Sequence, residues 1–288
     1  MTAQPDSQNL SRVEMVRALL HPRNVVILGA TDKQGTWTQR VWRNLHRYDY
    51  PYPVYPMNPG RDTVWDTTCY RSYEDLPEPP DHIVVLIPAR HVPAALRDAR
   101  RAGARSATVF SAGFDEVDAV ELAADLKRAI DETGLAVSGP NCLGNISGSA
   151  AMMTSTDDRF VRVGKGPISI IGQSGGIATA IKRALEERCL LVDTVITSGN
   201  ETGLTTADYI SYFAEEPETR VIISYLEAVR GDPAKFLAAC RKAYAAGKSV
   251  VVLKLGTSEA GRAAAVAHTG ALAGSAAAFD AIAGAAGA

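Results

Sequence analysis

The chain has 288 residues, 46% of them hydrophobic, and its 30 Lys and Arg against 32 Asp and Glu leave a net charge of −2. That length and apolar share predict two domains with cores of their own. The basic residues are scattered among acidic ones, which excludes the electrostatic footprint of a nucleic-acid binder. Cys69, Cys142, Cys189 and Cys240 lie far apart with no CxxC or Cys/His ligand spacing, so no metal site is expected and the thiols suit a reducing, cytoplasmic compartment. The start of the chain lacks the charged segment and apolar run of an export signal, and no apolar stretch of about 18 residues occurs. A soluble intracellular protein without a membrane partner is expected.

In chain order, a polar tail and a short helix ending near His21 lead into β-branched runs at 24–29, 53–57, 82–87, 107–110 and 135–138. Segments of helical period at 38–48, 93–102 and 117–133 separate most of them. This alternation predicts a parallel sheet covered on both faces. A second series follows, with strands at 167–171, 193–197, 221–226 and 249–253 and helices at 177–188, 206–214 and 233–246. The expected fold is α/β, with two doubly wound parallel-sheet domains. The boundary is expected in 145–166, rich in Gly, Ser, Thr and Asp, and is drawn between residues 147 and 148. The final Ala- and Gly-rich stretch, 271–288, reads as the end of a chain cut from something longer.

The first strand runs into Gly29-Ala30-Thr31-Asp32-Lys33-Gln34-Gly35-Thr36, the strand, glycine loop and helix order of a nucleotide-phosphate site. A dinucleotide fingerprint needs three patterned glycines and an acid about twenty residues on. Here only Gly29 and Gly35 are present, and Arg61 stands after the second strand, beyond Asn58. That Arg fits a ligand with an extra ribose phosphate, either NADP or coenzyme A, or is a solvated surface charge. No Walker-type lysine loop occurs. The segment Ser138-Gly139-Pro140-Asn141-Cys142-Leu143-Gly144 closes the first sheet at the edge where open α/β sheets bind ligands. A thiol there lies against a cofactor's sulfur or simply packs.

In the second half, Ile170-Ile171-Gly172-Gln173-Ser174-Gly175-Gly176-Ile177 reads as a buried strand, a glycine turn and a helix start, whose free N–H groups form an anion site. Ala267-His268-Thr269-Gly270 is a small-residue loop that presents one imidazole to a bulky charged group. If the two meet, phosphohistidine is the natural product; otherwise each is an ordinary turn.

Taken together in this order, the Gly29–Thr36 loop, Gly139-Pro140-Asn141-Cys142-Leu143-Gly144, Gln173-Ser174-Gly175-Gly176, Tyr225-Leu226-Glu227 and Ala267-His268-Thr269-Gly270 resemble the α part of the nucleoside-diphosphate-forming acyl-CoA synthetases. That superfamily includes succinyl-CoA ligase and the ADP-forming acetate–CoA ligases. The resemblance implies a Rossmann-like CoA-binding domain followed by a flavodoxin-like ligase domain. It implies His268 as the phosphorylated residue, Glu227 as the acid that orients its ring, and Gln173, Ser174, Gly175 and Gly176 as the phosphate cradle. It places CoA contacts at Gly29, Thr31, Lys33, Gln34, Asn58, Arg61, Pro88, Ser111, Asn141 and Cys142. It also implies a carboxylic acid or acyl-CoA substrate, phosphate, and Mg-ADP/ATP brought by an ATP-grasp β subunit or fused domain. His-Thr-Gly in place of the succinyl-CoA ligases' His-Ala-Gly favours the ADP-forming acyl–CoA ligases, with a succinyl-CoA ligase α subunit or a non-catalytic CoA-sensing module as the other readings. Trp37 stands where many relatives carry small residues.

Overall fold

In the computed structural model, residues 10–114, 119–157 and 164–255 are described. The chain opens with α1 (Arg12–Leu20), followed by β1 (Val25–Leu28), α2 (Trp37–Arg47) and β2 (Val54–Met57). A small hairpin, β3 (Thr63–Val64) and β4 (Thr67–Thr68), precedes β5 (His82–Val85), α3 (Val92–Ala102), β6 (Ser106–Val109), α4 (Val120–Thr133) and β7 (Ala136–Ser138). The first sheet has the order β2-β1-β5-β6-β7 and is parallel throughout. Strands β5, β6 and β7 are buried along their whole length. Covering helices on both faces leave no solvent-facing position on such strands, and the polar residues among them, His82, Ser106, Thr108 and Ser138, are buried with the rest.

The second sheet contains β8 (Asn145–Ser147), β9 (Met152–Met153), β10 (Ile168–Gly172), β11 (Val192–Thr197), β12 (Val221–Leu226) and β13 (Ser249–Lys254). Helices α5 (Gly175–Glu186), α6 (Thr206–Glu215) and α7 (Pro233–Ala245) connect its parallel strands. Its order is β13-β12-β10-β11-β8-β9. The four strands β13, β12, β10 and β11 are parallel, as the alternation predicts. β8 and β9 add an antiparallel edge that the sequence does not announce, because strands this short carry no readable period. β8 already hydrogen-bonds to β11, so the segment read as a boundary opens inside the second sheet.

Two devices lock the sheets together. The first is α1, whose start is a capping box: Ser11 N–H donates to Glu14 Oε2 at 2.8 Å and Glu14 N–H to Ser11 Oγ at 3.3 Å. Its Val16, Leu19 and Leu20 share one apolar core with Ile27 and Val84 of the first sheet and with Tyr209, Tyr212 and Phe213 of α6. Burying each such aliphatic side chain contributes about 1.5–3 kcal/mol. Arg17 reaches Glu216 at 3.3 Å, and His21 Nε2 lies 3.1 Å from the Tyr212 hydroxyl.

The second device is a backbone seam after β11. Asn200 N–H donates to Pro140 O at 3.0 Å, Thr202 N–H to Gly139 O at 3.2 Å and Leu204 N–H to Val137 O at 2.8 Å. Gly199 has φ +58°, and a Cβ there would stand 2.1 Å from Pro140 O. Only glycine lets the two backbones approach so closely.

Candidate functional site

At the carboxyl edge of the first sheet the loops are tied in sequence. Gly29 N–H donates to Met57 O at 2.9 Å, joining the ends of β1 and β2. Gly29 has φ +95°, and a Cβ there would meet Leu86 O at 2.5 Å, so this turn also rests on glycine. Asn58 Nδ2 donates to Ala30 O at 2.7 Å and its Oδ1 accepts Gly60 N–H at 2.9 Å. Further along, Ser111 Oγ donates to Ile87 O at 2.5 Å and Asn141 N–H to Ser111 O at 3.1 Å. Gly29, Thr31, Lys33, Gln34, Asn58, Arg61, Pro88, Ser111, Asn141 and Cys142 all fall on the loops of this one edge.

Within that group the structure separates side chains that face outward from those that hold loops. Lys33, Gln34 and Pro88 are exposed and Thr31 is half-buried. The edge therefore offers an ammonium group and polar side chains to a phosphate-bearing ligand. Asn58 and Ser111, by contrast, use their side chains to tie loops together. Arg61 is not an isolated cation: its Nη1 lies 3.0 Å from Asp32 Oδ2, and the same carboxylate accepts Trp65 N–H at 3.2 Å. Cys142 is turned inward and donates to Val109 O at 3.2 Å. Burial pushes its thiol up to about 12. Of the two possibilities for Cys142, the structure shows the packing one, because a buried, protonated thiol is a poor nucleophile.

At the carboxyl edge of the second sheet, β10 and β12 lie side by side, with Gly172 opposite Tyr225. Gln173 is nearly fully buried and its carboxamide clamps the neighbouring strand end. Its Oε1 accepts Glu227 N–H at 2.8 Å and Ala228 N–H at 3.0 Å, while Nε2 donates to Ala228 O at 2.7 Å. Gln173 N–H itself donates to Tyr225 O at 3.2 Å. Gln173, grouped by sequence with the phosphate cradle, spends its carboxamide on the backbone of Glu227 and Ala228. Lys254 Nζ donates to Glu227 O at 2.8 Å. Both backbone groups of Glu227 are held, and its side chain is half-buried.

Ser174 caps α5 and its Oγ accepts Ile177 N–H at 3.5 Å. Gly175 and Gly176 form the first turn, where N–H groups have no intrahelical acceptor. Gly176 is exposed, with open space in front of it. These donors and the positive end of the helix suit an anion. His268 lies outside the described residues, as does the rest of its loop.

The two edges face one another. Leu143 lies against Gly175, and Leu143 N–H donates to Thr197 Oγ1 at 2.8 Å. A cleft of about 560 Å³ opens between the starts of α2 and α5. Trp37 and Arg40 line one wall and Gly176, Thr179 and Arg183 the other, with Leu143 between. Trp37 is 44% exposed and its ring centroid lies 6.1 Å from that of Phe110. Among the described residues neither Arg40 nor Arg183 makes an ion pair, and the Nε of Arg183 is buried without a hydrogen-bond partner.

Arg40, Arg183 and Lys254 escaped the sequence reading. The only signal for Lys254 is a basic residue closing an apolar strand, and the arginines look like ordinary helix-surface charges. Sequence reading also missed Glu201. It accepts Ser198 Oγ–H at 2.7 Å, Thr206 N–H at 3.1 Å and Thr206 Oγ1–H at 2.6 Å. Burial raises its carboxyl above the usual range although those hydrogen bonds pull it down. It braces the seam beneath Asn200. No helix among the described residues is long and apolar enough to cross a membrane.

Comparison with known proteins agrees with this geometry. Residues 23–147 match the CoA binding domain family, and residues 165–288 match the succinyl-CoA ligase like flavodoxin domain family. A trans-feruloyl-CoA synthase from an unknown prokaryotic organism is 33% identical over 270 residues, covering 91% of this chain and 38% of the relative. The ADP-forming acetate–CoA ligase I of Archaeoglobus fulgidus is 34% identical over 261 residues, covering 89% of this chain and 37% of the relative. Among solved structures, the dinucleotide-forming acetyl-coenzyme A synthetase 1 of Ca. Korarchaeum cryptofilum, in complex with phosphate and ADP, superposes with a TM-score of 0.87 at 29% identity. It covers 94% of this chain and 58% of that one. The chain therefore spans under two fifths of the two curated relatives and 58% of the solved structure. With a CoA-binding domain followed by a succinyl-CoA-ligase-like flavodoxin domain, the chain belongs to the nucleoside-diphosphate-forming acyl-CoA synthetases.

Proposed function

We propose that the chain is the CoA-binding and phosphoryl-carrying part of an ADP-forming acyl-CoA synthetase. Together with an ATP-grasp partner it would interconvert acyl-CoA, ADP and phosphate with a carboxylic acid, CoA and ATP. The observation that carries this reading is the facing of the two sheet edges: the α5 start lies across one cleft from Trp37, Arg40 and Leu143, and Gln173, which precedes α5, holds the backbone of Glu227. The first unit runs through β7. The second begins at β8, three residues ahead of the division at 147/148, since Asn145–Ser147 pairs with β11. Named relatives that are themselves ADP-forming ligases support the direction of the chemistry.

In the first step a phosphate oxygen attacks the thioester carbonyl. The C–S bond breaks, the CoA thiolate leaves, and an acyl phosphate forms. The imidazole of His268 then attacks phosphorus, the P–O bond to the acyl group breaks, and the carboxylate departs. In the last step the N–P bond breaks as the phosphoryl group passes to a terminal oxygen of ADP. The steps reverse for thioester synthesis.

In this scheme the N–H groups of Gly175 and Gly176 hold the phosphoryl oxygens without reorganising. Glu227 accepts one ring N–H of His268, which fixes the tautomer and leaves the other nitrogen free to attack. Gln173 and Lys254 hold Glu227 in place. Lys33, Thr31 and Gln34 face the CoA phosphates. Magnesium and the nucleotide come with an ATP-grasp subunit or domain; two relatives in Pyrococcus furiosus are themselves designated alpha subunits of acetate–CoA ligases. A cytoplasmic setting suits the four free cysteines.

With its ATP-grasp partner and γ-labelled ATP, the chain is expected to acquire an acid-labile, base-stable phosphate that His268→Asn abolishes. Label that persists in the variant would remove His268 from the mechanism.

A further inference from the structure

Resting on that reading, we infer that Glu201 is a positioning residue for the phosphoryl step: its carboxylate, buried at the seam between the two units, fixes the carboxamide of Gln173, and Gln173 in turn fixes Glu227.

Glu201 stands where the fold makes a carboxylate costly. Its backbone is left-handed, with φ +56°, a conformation that side chains with a Cβ adopt at a cost, and the residue is buried. Among the described residues it makes no ion pair. Four neutral donors surround the carboxylate instead. Ser198 Oγ–H donates at 2.7 Å, and Thr206, the first residue of α6, donates its N–H at 3.1 Å and its hydroxyl at 2.6 Å. That N–H is one of those a helix start leaves without an intrahelical acceptor, and the positive end of α6 favours an anion there. The fourth donor is the side chain of Gln173. A left-handed backbone and a buried carboxylate persist at one residue only where the surroundings over-determine them, and such outliers gather at functional sites.

The backbone brings the Glu201 turn to Gln173 as well. Thr197 lies opposite Gly172 in the sheet, and Ser198 N–H donates to Gly172 O at 2.9 Å, one residue before Gln173. A carboxamide has one accepting end and one donating end. In Gln173 the accepting Oε1 takes the N–H groups of Glu227 and Ala228, and Nε2 donates to Ala228 O and to Glu201. A carboxylate offers acceptors alone, so Glu201 holds the amino end of Gln173 toward itself and leaves Oε1 facing Glu227. Turned end for end, the carboxamide would set its own N–H groups against those of Glu227 and Ala228. The same turn is bonded to the CoA-binding unit, through Asn200 N–H to Pro140 O and Thr202 N–H to Gly139 O. The place of Glu227 is therefore referred to the seam between the units and not to β12 alone.

The test is a double-mutant cycle in the complete enzyme, this chain with its ATP-grasp partner. Glu201→Gln keeps the shape and puts an N–H where only acceptors stood. It is expected to slow phosphoryl labelling at saturating ATP about tenfold, the size of one lost hydrogen bond to a charged group, with the KM for ATP and the calorimetric affinity for CoA unchanged. In a Gln173→Ala background the same substitution is expected to bring no further slowing, because the residue through which it acts is gone. Should Glu201→Gln fail to fold, Thr206→Val keeps the carboxylate, deletes one of its donors and enters the same cycle, with a smaller slowing that Gln173→Ala again abolishes. In whichever variant folds, unaltered labelling, slowing that multiplies with that of Gln173→Ala, or a matching loss of CoA affinity overturns the positioning role. Normal labelling of the unaltered enzyme then leaves the synthetase reading intact. An unaltered enzyme that acquires no label overturns the synthetase reading itself.

Discussion

Gln173 accepts the backbone N–H of Glu227 at 2.8 Å, so the end of β10 dictates where the carboxylate at the end of β12 stands. Removing that acceptor leaves the N–H groups of Glu227 and Ala228 without their partner in a half-buried turn. Gln173→Ala is expected to cost about 1–3 kcal/mol of stability, the penalty of a buried unpaired donor. It is also expected to slow phosphoryl labelling with little change in CoA affinity. Denaturant unfolding, labelling kinetics and calorimetric titration with CoA read these separately, and an equal loss of CoA binding would show that Gln173 does not act through Glu227.

Gly29 holds the first loop at φ +95° with Leu86 O where a Cβ would be. Gly29→Ala is expected to weaken CoA binding by at least tenfold and to lower the unfolding temperature, since the β1 turn and the β5 end must move apart. Unaltered titration heats in the variant would mean that this loop plays no part in CoA binding.

Gly199 sits where the backbones of the two units pass close together, with Pro140 O 2.1 Å from where a Cβ would stand. In Gly199→Ala both the left-handed backbone and the contact are unfavourable, so a loss of roughly 2–4 kcal/mol is expected, within the range of strongly destabilising substitutions. The loss is expected to be accompanied by faster proteolysis between the units. A variant as stable as the parent would show that the seam gives way without penalty.

His82 sets an acid limit on stability. It is fully buried, with Nδ1 2.9 Å from Ser106 Oγ and Nε2 3.2 Å from Thr108 Oγ1, and burial lowers its pKa to about 3 from the ordinary 6.5. Below pH 6.5 the unfolded chain binds a proton that the folded chain refuses until about pH 3. The stabilisation present above pH 6.5 is therefore lost as pH falls through that window. The slope from this one group reaches at most about 1.4 kcal/mol per pH unit. Thermal unfolding between those limits should show the loss, and His82→Gln should flatten it. Identical acid limbs in the two proteins would assign the effect to other groups.

Much of this molecule is written locally. The strands 221–226 and 82–87 were legible because a parallel strand covered on both faces is apolar at most positions, and the helices because a one-sided apolar stripe has a period of 3.6. β8, β9 and the β3–β4 hairpin were not legible: two or three residues carry no period, and β8 finds its partner β11 nearly fifty residues further on.

The same division runs through the site. Glycine positions, the helix start at Ser174 and the acid at Glu227 can be picked out of the chain, because backbone geometry and residue type constrain them where they stand. Whether a polar residue at a sheet edge faces a ligand or fastens a loop is settled by what lies across from it. Asn58 found Ala30 O, Arg61 found Asp32, Cys142 found Val109 O, and Gln173 found the N–H of Glu227. Arg40 and Arg183 are indistinguishable in sequence from other helix-surface charges, and only folding brings them, with Asp157, to one cleft. Local residue type thus determined the two sheets, their helices and the family motifs. Long-range packing decided which of the named side chains remain available for chemistry, since a donor or acceptor is available only where the fold has not already given it a partner.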